Sequence, residues 1–202
     1  MYLIVDTETG GIGLDKSLLS VGLIFADDQF NVISKAEYLV KPNDSVYVVE
    51  PRAMEINGID LIKHDKVAKK YKDTGNSLYA SLFLFGDGGK NKLVVVGKNV
   101  HFDLTHIWDK LISRATWEGF CSYQLLDLSS VWKFLEITGK VPKLQSTSLG
   151  AIADHLGVEK GEAHTALGDC VTTLNCMKEL QILPPHILSL NTENKSCFAE
   201  TY

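Results

Sequence analysis

Two acidic side chains, Asp6 and Glu8, follow a short apolar run near the start of the chain and are separated by one residue. Residues i and i+2 of a β-strand project from the same face, so a strand ending here places the two carboxylates side by side. Carboxylates that close repel each other and raise each other's pKa unless a positive charge lies between them. A divalent cation would supply that charge, although a lone pair of acids at a strand end most often faces water. Further acids elsewhere in the chain are needed to decide between these interpretations.

A third acid, Asp103, follows a continuous apolar run, residues 93–96. The Leu-Val-Val-Val sequence of that run is typical of a central strand that is buried on both faces. Open α/β sheets bind their ligands at the carboxyl ends of such strands, which is where Asp103 is expected to lie. The alternative is that Asp103 only caps the helix that follows the strand.

A fourth acid, Asp169, falls within a helical pattern near the C-terminus, where an unpaired acid is mildly unfavourable and needs a reason. His164 precedes it at the entrance of the same helix. Taken alone, a histidine at a helix entrance is more often a surface or capping residue than a catalytic one. The case for chemistry therefore rests on all of these side chains together.

The elements that must position these residues follow from periodicity and turn residues. Three successive strands with short links predict an antiparallel meander, and alternating strands and helices after it predict a mixed α/β sheet covered by helices. Strands are expected at residues 2–6, 18–26, 31–40 and 93–96, and a further short strand is expected to end around residue 127. Helices are expected at residues 51–57, 60–71, 77–85, 103–113, about 149–156 and 165–180, and another is expected to follow the last strand and end at residue 136.

Three segments of the chain, VDTETGG, NVHFD and HTALGD, contain the motifs DxE, NxxFD and HxxxxD in that order. With them the chain resembles the DEDDh group of 3′–5′ exonucleases, which includes proofreading subunits of bacterial replicative polymerases, ribonuclease T and oligoribonuclease. The resemblance covers about residues 1–183, expected to form one exonuclease domain, with residues 184–202 as a C-terminal tail. It implies a ribonuclease-H-like α/β fold with a mixed five-stranded sheet flanked by helices.

The resemblance also implies which residues carry the reaction. Four carboxylates would bind two divalent cations, Mg²⁺ or Mn²⁺, because hard oxygen ligands suit these ions better than zinc. His164 would take the proton from the attacking water. The expected catalytic residues are Asp6, Glu8, Asp103, Asp169 and His164, of which the four acids are the metal ligands. The expected substrate-binding residues are Thr7, Thr9, Gly10, Ile12, Leu14, Asn99 and Phe102.

The chain departs from the group's pattern at several positions outside the presumed ligands. Asn57 stands where relatives carry His, Lys98 precedes the second motif in place of His, and Ser20 replaces an acid. Residues 86–92 are interpreted as a small insertion. Because no metal ligand is affected, these departures bear on the choice of substrate rather than on activity.

Two other features of the sequence could be functional or could be ordinary parts of the protein surface. His101 forms an HxD pair with Asp103 that could be read as a metal site, but a surface position is favoured because the group's pattern makes no use of it. The basic run at residues 63–72 is usually the pattern of a solvated helix face, and the alternative is a surface that follows substrate phosphates.

The expected function is metal-dependent 3′–5′ hydrolysis of single-stranded nucleic acid to nucleoside 5′-monophosphates, with DNA favoured over RNA. Alternatives are an oligoribonuclease-like enzyme for short RNA, an idle exonuclease-like binding module and a nucleotide phosphohydrolase. Expected partners are single-stranded 3′ ends and a polymerase or another replication or repair protein.

The composition is consistent with an intracellular, cytoplasmic enzyme. The chain has 202 residues, of which 45% are hydrophobic, and these numbers fit one globular domain. A net charge of -5 argues against broad nonspecific binding to nucleic acid. No membrane span or signal peptide is expected. The four cysteines show no CxxC spacing, so free thiols are expected rather than zinc ligands.

Overall fold

A mixed sheet forms the centre of the molecule, and the computed structural model describes residues 1–182 of the chain. The strands are β1 Tyr2–Thr9, β2 Leu18–Ala26, β3 Val32–Lys41, β4 Lys69–Lys70, β5 Leu93–Gly97 and β6 Cys121–Asp127. Their order is β4-β3-β2-β1-β5-β6. β1, β2 and β3 are antiparallel, whereas β5 runs parallel to both β1 and β6, and β4 runs parallel to β3. The predicted tail, residues 184–202, lies outside the described residues.

Helices cover both faces of this sheet. They are α1 Pro51–Asn57, α2 Leu61–Val67, α3 Tyr71–Phe85, α4 Val100–Lys110, α5 Arg114–Glu118, α6 Leu128–Ile137, α7 Leu149–Leu156 and α8 Ala166–Ile182. Alternate side chains of β1 project from opposite faces of the sheet. Leu3 and Val5 pack with α3, α4 and α5, whereas Ile4 packs with α6, α7 and α8. The result is a sheet between two helical layers, as predicted. None of the helices in this part of the chain combines the length and apolarity that a membrane crossing needs.

The five predicted strands and the antiparallel meander are confirmed, and β4 adds a sixth, two-residue strand at the edge. The helix expected at residues 77–85 begins earlier, at Tyr71, and contains Gly75. A side chain at Gly75 would overlap the carbonyl of Leu111, so glycine allows α3 to approach the end of α4. The helix expected at residues 103–113 corresponds to α4, which begins earlier, at Val100, and ends earlier, at Lys110. Ser113 then caps a separate helix, α5, by accepting a hydrogen bond from the backbone of Thr116.

Helix α8 lies directly against the sheet at its first turn. A Cβ atom at Gly22 of β2 would overlap the backbone of Ala166, so only glycine leaves room for this contact. Further along α8, the thiol of Cys170 lies 3.8 Å from the carbonyl oxygen of Ile4 on β1. Cys121, Cys170 and Cys176 are buried free thiols, as predicted. The close approach of α8 fixes where its first-turn acid, Asp169, meets β1.

Candidate active site

Acids from two distant parts of the chain meet at the carboxyl end of β1. Asp6 and Glu8 lie on β1 with one residue between them, and Asp169 lies in the first turn of α8. One carboxylate oxygen from each of the three lies within 4.8 Å of the other two. A spacing this small suits a shared cation, because each oxygen can then contact the same ion.

Asp103 reaches the same place from the first turn of α4. Its side chain is 4% exposed, and its Oδ1 accepts a hydrogen bond of 2.7 Å from the hydroxyl of Thr7, the residue between Asp6 and Glu8. Asp103 lies outside the three-acid group, but its charge acts on both Asp6 and Glu8. Thr7 therefore connects the fourth acid to the strand that carries the first two.

Burial and mutual repulsion make the ionised form of this cluster unfavourable. Burial, together with the charges of Asp103, Asp169 and Glu8, holds the pKa of Asp6 well above its usual range. Burial and the charges of Asp169 and Asp103 raise the pKa of Glu8 to about 7. Burial also raises the pKa of Asp103 and that of Asp169. The donor set, four hard carboxylates with excess negative charge, fits divalent cations such as Mg²⁺ or Mn²⁺.

The shift at Glu8 predicts how the stability of the metal-free protein depends on pH. Between pH 4.5, the ordinary value for Glu, and about pH 7, the folded state keeps a proton that the unfolded state has lost. The folded state therefore binds more protons in this window, and the free energy of unfolding is expected to fall as pH rises through it. Urea denaturation in EDTA across this range measures the slope, and excess Mg²⁺ or Mn²⁺ should flatten it. A metal-free profile that rises with pH would contradict the prediction.

His164 lies just before α8, in the left-handed backbone conformation, with φ of 61°. Its side chain is exposed, and its proximity to Asp169 partly offsets the rise that burial causes in the pKa of that carboxyl, so His164 lies beside the acidic cluster. The loop that holds it is tight, because Thr165 donates to the carbonyl of Glu162 and accepts from the backbone N–H of Gly168. An exposed histidine beside the cluster is positioned to exchange protons with water.

His101 differs from His164 in what it contacts. Its ring packs edge-on against Trp108, with ring centroids 6.3 Å apart, and the side chain is exposed. It is not part of the group of three acids that lie within ligand distance of one another. This arrangement agrees with the prediction that His101 is a surface residue.

A pocket of about 250 Å³ opens beside Glu8, between the end of β1 and helix α1. Four of the predicted substrate-binding residues line it, namely Thr7, Thr9, Ile12 and Phe102. Ile12 is 82% exposed at the rim, which is unusual for an isoleucine and suits contact with a flat apolar group. The lining consists of Thr7, Glu8, Thr9, Gly11, Ile12, Glu50, Arg52, Ala53, Ile56, Asn57 and Phe102.

Three predicted substrate-binding residues lie outside that lining. Leu14 is half-exposed, and Asn99 precedes α4 with φ of 55°, where its side-chain oxygen accepts from the hydroxyl of Ser129. Gly10 connects two loop segments near the pocket through its backbone: its N–H donates to the carbonyl of Ser17, and its carbonyl accepts from the N–H of Glu50. The substrate roles of all three remain predictions.

Several side chains around the site make contacts that the sequence did not predict. Asn57, at the end of α1, donates to the carbonyl oxygen of Thr9 over 3.2 Å and thereby joins the pocket wall to β1. Glu37 raises the pKa of Glu8 and accepts from the backbone of Leu167 at the start of α8. No sequence signal identifies Glu37, because its strand is mostly exposed.

Asp127 and His106 lie close to Asp103 and were also missed. Asp127 ends β6 and accepts from the backbone N–H of Val100 over 2.9 Å, which fixes the start of α4. Its place at the carboxyl end of a parallel strand is the signal that could have identified it. His106 is fully buried beside Phe102, with ring centroids 4.8 Å apart, and burial lowers its pKa.

Comparisons with known proteins give one family and one set of related structures. A family model described as Exonuclease (RNase_T) matches residues 3–177. Two structures of E. coli exonuclease I match this chain, each at 22% sequence identity. The complex with a dT13 oligonucleotide has a TM-score of 0.76, and the zinc-bound complex with single-stranded DNA has a TM-score of 0.75. The matches cover 92% and 93% of this chain but 42% of those chains, so this chain spans less than half of their length. No curated protein matches the chain in sequence. At this identity the structural likeness establishes the fold.

Proposed function

Because the chain belongs to the exonuclease family whose model matches residues 3–177, we propose that it removes nucleotides from the 3′ end of single-stranded nucleic acid. The products are nucleoside 5′-monophosphates and a strand shortened at its 3′ end, with DNA favoured over RNA. The observation that carries the proposal is the meeting of Asp6, Glu8 and Asp169 within 4.8 Å, with Asp103 joined to them through Thr7.

In this proposal the four acids hold two divalent cations, Mg²⁺ or Mn²⁺. Bound ions of this kind activate a water molecule, neutralise the phosphate and stabilise the departing 3′ oxygen. The unfavourable charge of the cluster supports the assignment, since cations would replace the protons that the raised pKa values retain. Asp6 is the acid on whose pKa the charges of all three other acids act.

The remaining side chains accept a proton and hold the end of the strand. His164 lies beside the cluster and takes the proton of the attacking water. The pocket beside Glu8 receives the terminal nucleotide, with Ile12 and Phe102 against the base. Backbone hydrogen bonds of Gly10 with Ser17 and Glu50 stabilise the wall of the pocket.

The proposal of a single-stranded substrate draws on the related structures. E. coli exonuclease I is seen with dT13 and dA16 oligonucleotides, and the matched part of it has the fold described for this chain. The four ligand positions are all occupied by acids in this chain. An idle binding module would be expected to have lost at least one of them.

The proposal is tested by incubating the protein with single-stranded DNA and RNA labelled at the 5′ end, with Mg²⁺, Mn²⁺ or EDTA. The expected result is a ladder that shortens from the 3′ end, faster on DNA, and is abolished by EDTA. The Asp6→Asn variant, purified in the same way, controls for contaminating nucleases. Intact strands in Mn²⁺ contradict the proposal. Cleavage confined to very short RNA favours the oligoribonuclease alternative, and monophosphate from nucleoside triphosphates alone favours the phosphohydrolase.

A further inference from the structure

The densest group of cations in the chain lies at the β4 edge of the sheet. Residues 60–72 contain five lysines and two acids, in a chain whose net charge is -5. Both acids have other partners: Asp60 caps α2, and Asp65 binds Lys41 and Tyr47. The lysine edge is defined as Lys66, Lys69, Lys70 and Lys72, which are exposed and have no acidic partner within residues 1–182.

The strand register places β4, which carries Lys69 and Lys70, at the same end of the sheet as the carboxyl end of β1, where the acids lie. Thr9 pairs with Leu18 on β2, Ser20 of β2 pairs with Leu39 on β3, and Val40 of β3 pairs with Lys69 on β4. Each pairing step joins residues at the same end of the sheet. Neighbouring strands lie about 4.8 Å apart, so β4 lies roughly 14 Å from β1, a distance that a few nucleotides span.

One segment of the chain runs from the neighbourhood of these lysines to the pocket, which Glu50 lines. Residues 42–50 leave β3 and reach α1, and within them Val48 is tied to Ser17 by two hydrogen bonds of 2.9 Å. Asn43 in the same segment accepts from the backbone of Lys72. Val46 and Val48 are exposed, at 61% and 41%, so apolar surface lies between the pocket and the cations.

We propose that the lysine edge binds the phosphates of nucleotides upstream of the cleaved 3′ end, with Val46 and Val48 beneath the intervening sugars and bases. This inference rests on the proposed function, because the pocket must hold the terminal nucleotide. The lysine edge has the chemistry of a single-strand track, in which positive charges follow the backbone without reading the sequence. It lies far enough from the acids to leave the chemical step unaffected.

The test is the double variant Lys69→Gln/Lys70→Gln, assayed on a single strand of roughly 20 nucleotides and on a dinucleotide. For the long strand KM is expected to rise roughly tenfold at low salt, with kcat unchanged, and the slope of log KM against log salt should become shallower by about 1.4. The dinucleotide, which cannot reach the lysine edge, should be cleaved as by the wild type.

The matched control is Lys90→Gln/Lys178→Gln, which removes the same charge at the opposite end of the sheet. Lys90 precedes β5, and Lys178 contacts Asn31 in the turn between β2 and β3. An equal rise in KM for this control, an equal effect on the dinucleotide, or no effect on the long strand would overturn the inference. Equilibrium binding of the labelled long strand, measured by fluorescence anisotropy in EDTA, tests the lysine edge without cleavage. Binding lost in the Lys69/Lys70 variant alone would support the lysine edge even if the chain cleaved nothing.

Discussion

Asp103→Asn is expected to lower kcat by on the order of 10³-fold, because it removes one of the four charges proposed to hold the cations. The same change is expected to stabilise the metal-free protein by about 1–2 kcal/mol, because a buried carboxylate that repels its neighbours is replaced by a neutral group. Asn has nearly the same shape, and its side-chain oxygen can still accept from the hydroxyl of Thr7. Loss of activity with a gain in stability distinguishes a functional acid from a structural one.

Steady-state cleavage with Mn²⁺ and urea denaturation in EDTA measure these two effects. The control is Asp109→Asn on the same helix, an exposed acid that pairs with Lys110 over 2.7 Å. It should change neither quantity appreciably, because exposed pairs contribute little. If Asp103→Asn destabilised the metal-free protein and left kcat within tenfold of the wild type, the role of Asp103 would be structural alone.

His164→Ala is expected to lower kcat by roughly 10²–10³-fold with little change in KM, as for the loss of a general base. His101→Ala is expected to keep most of the activity, because the His101 ring packs on Trp108 and is not part of the group of acids within ligand distance of one another. The two variants remove the same chemical group from exposed positions on different elements and so serve as controls for each other. Cleavage assays on a labelled single strand measure both.

Added imidazole provides a second readout for the same pair. If His164 acts only by moving a proton, imidazole in solution should restore part of the activity of His164→Ala and leave His101→Ala unchanged. Equal losses from the two substitutions would argue instead for a metal site that includes His101 and Asp103.

Much of the site arrangement could be predicted because the acids follow strand ends and helix starts. Asp6 and Glu8 share a face of β1 through the two-residue period of a strand. Asp103 follows β5, which runs parallel to β1, so both carboxyl ends lie at one edge of the sheet. The structure brings Asp6, Glu8 and Asp169 together as expected, and their action as metal ligands remains a prediction.

Features that depend on three-dimensional packing could not be predicted in the same way. The hydrogen bond from Thr7 to Asp103 joins residues 96 positions apart and depends on a rotamer that the sequence does not specify. Gly75 argued against a helix at its position by propensity, yet α3 contains it because the close carbonyl of Leu111 leaves no room for a side chain. Two-residue strands such as β4 are too short to show periodicity.

The position of Asp169 on the last described helix has a consequence for the order in which activity arises. A ribosome makes β1 first, and the growing chain then carries Asp6 and Glu8 through the synthesis of more than 150 further residues before Asp169 is added. Helix α8 must also emerge and settle against Gly22 before the cluster is complete. A chain that has not yet added Asp169 therefore lacks the full set of proposed ligands.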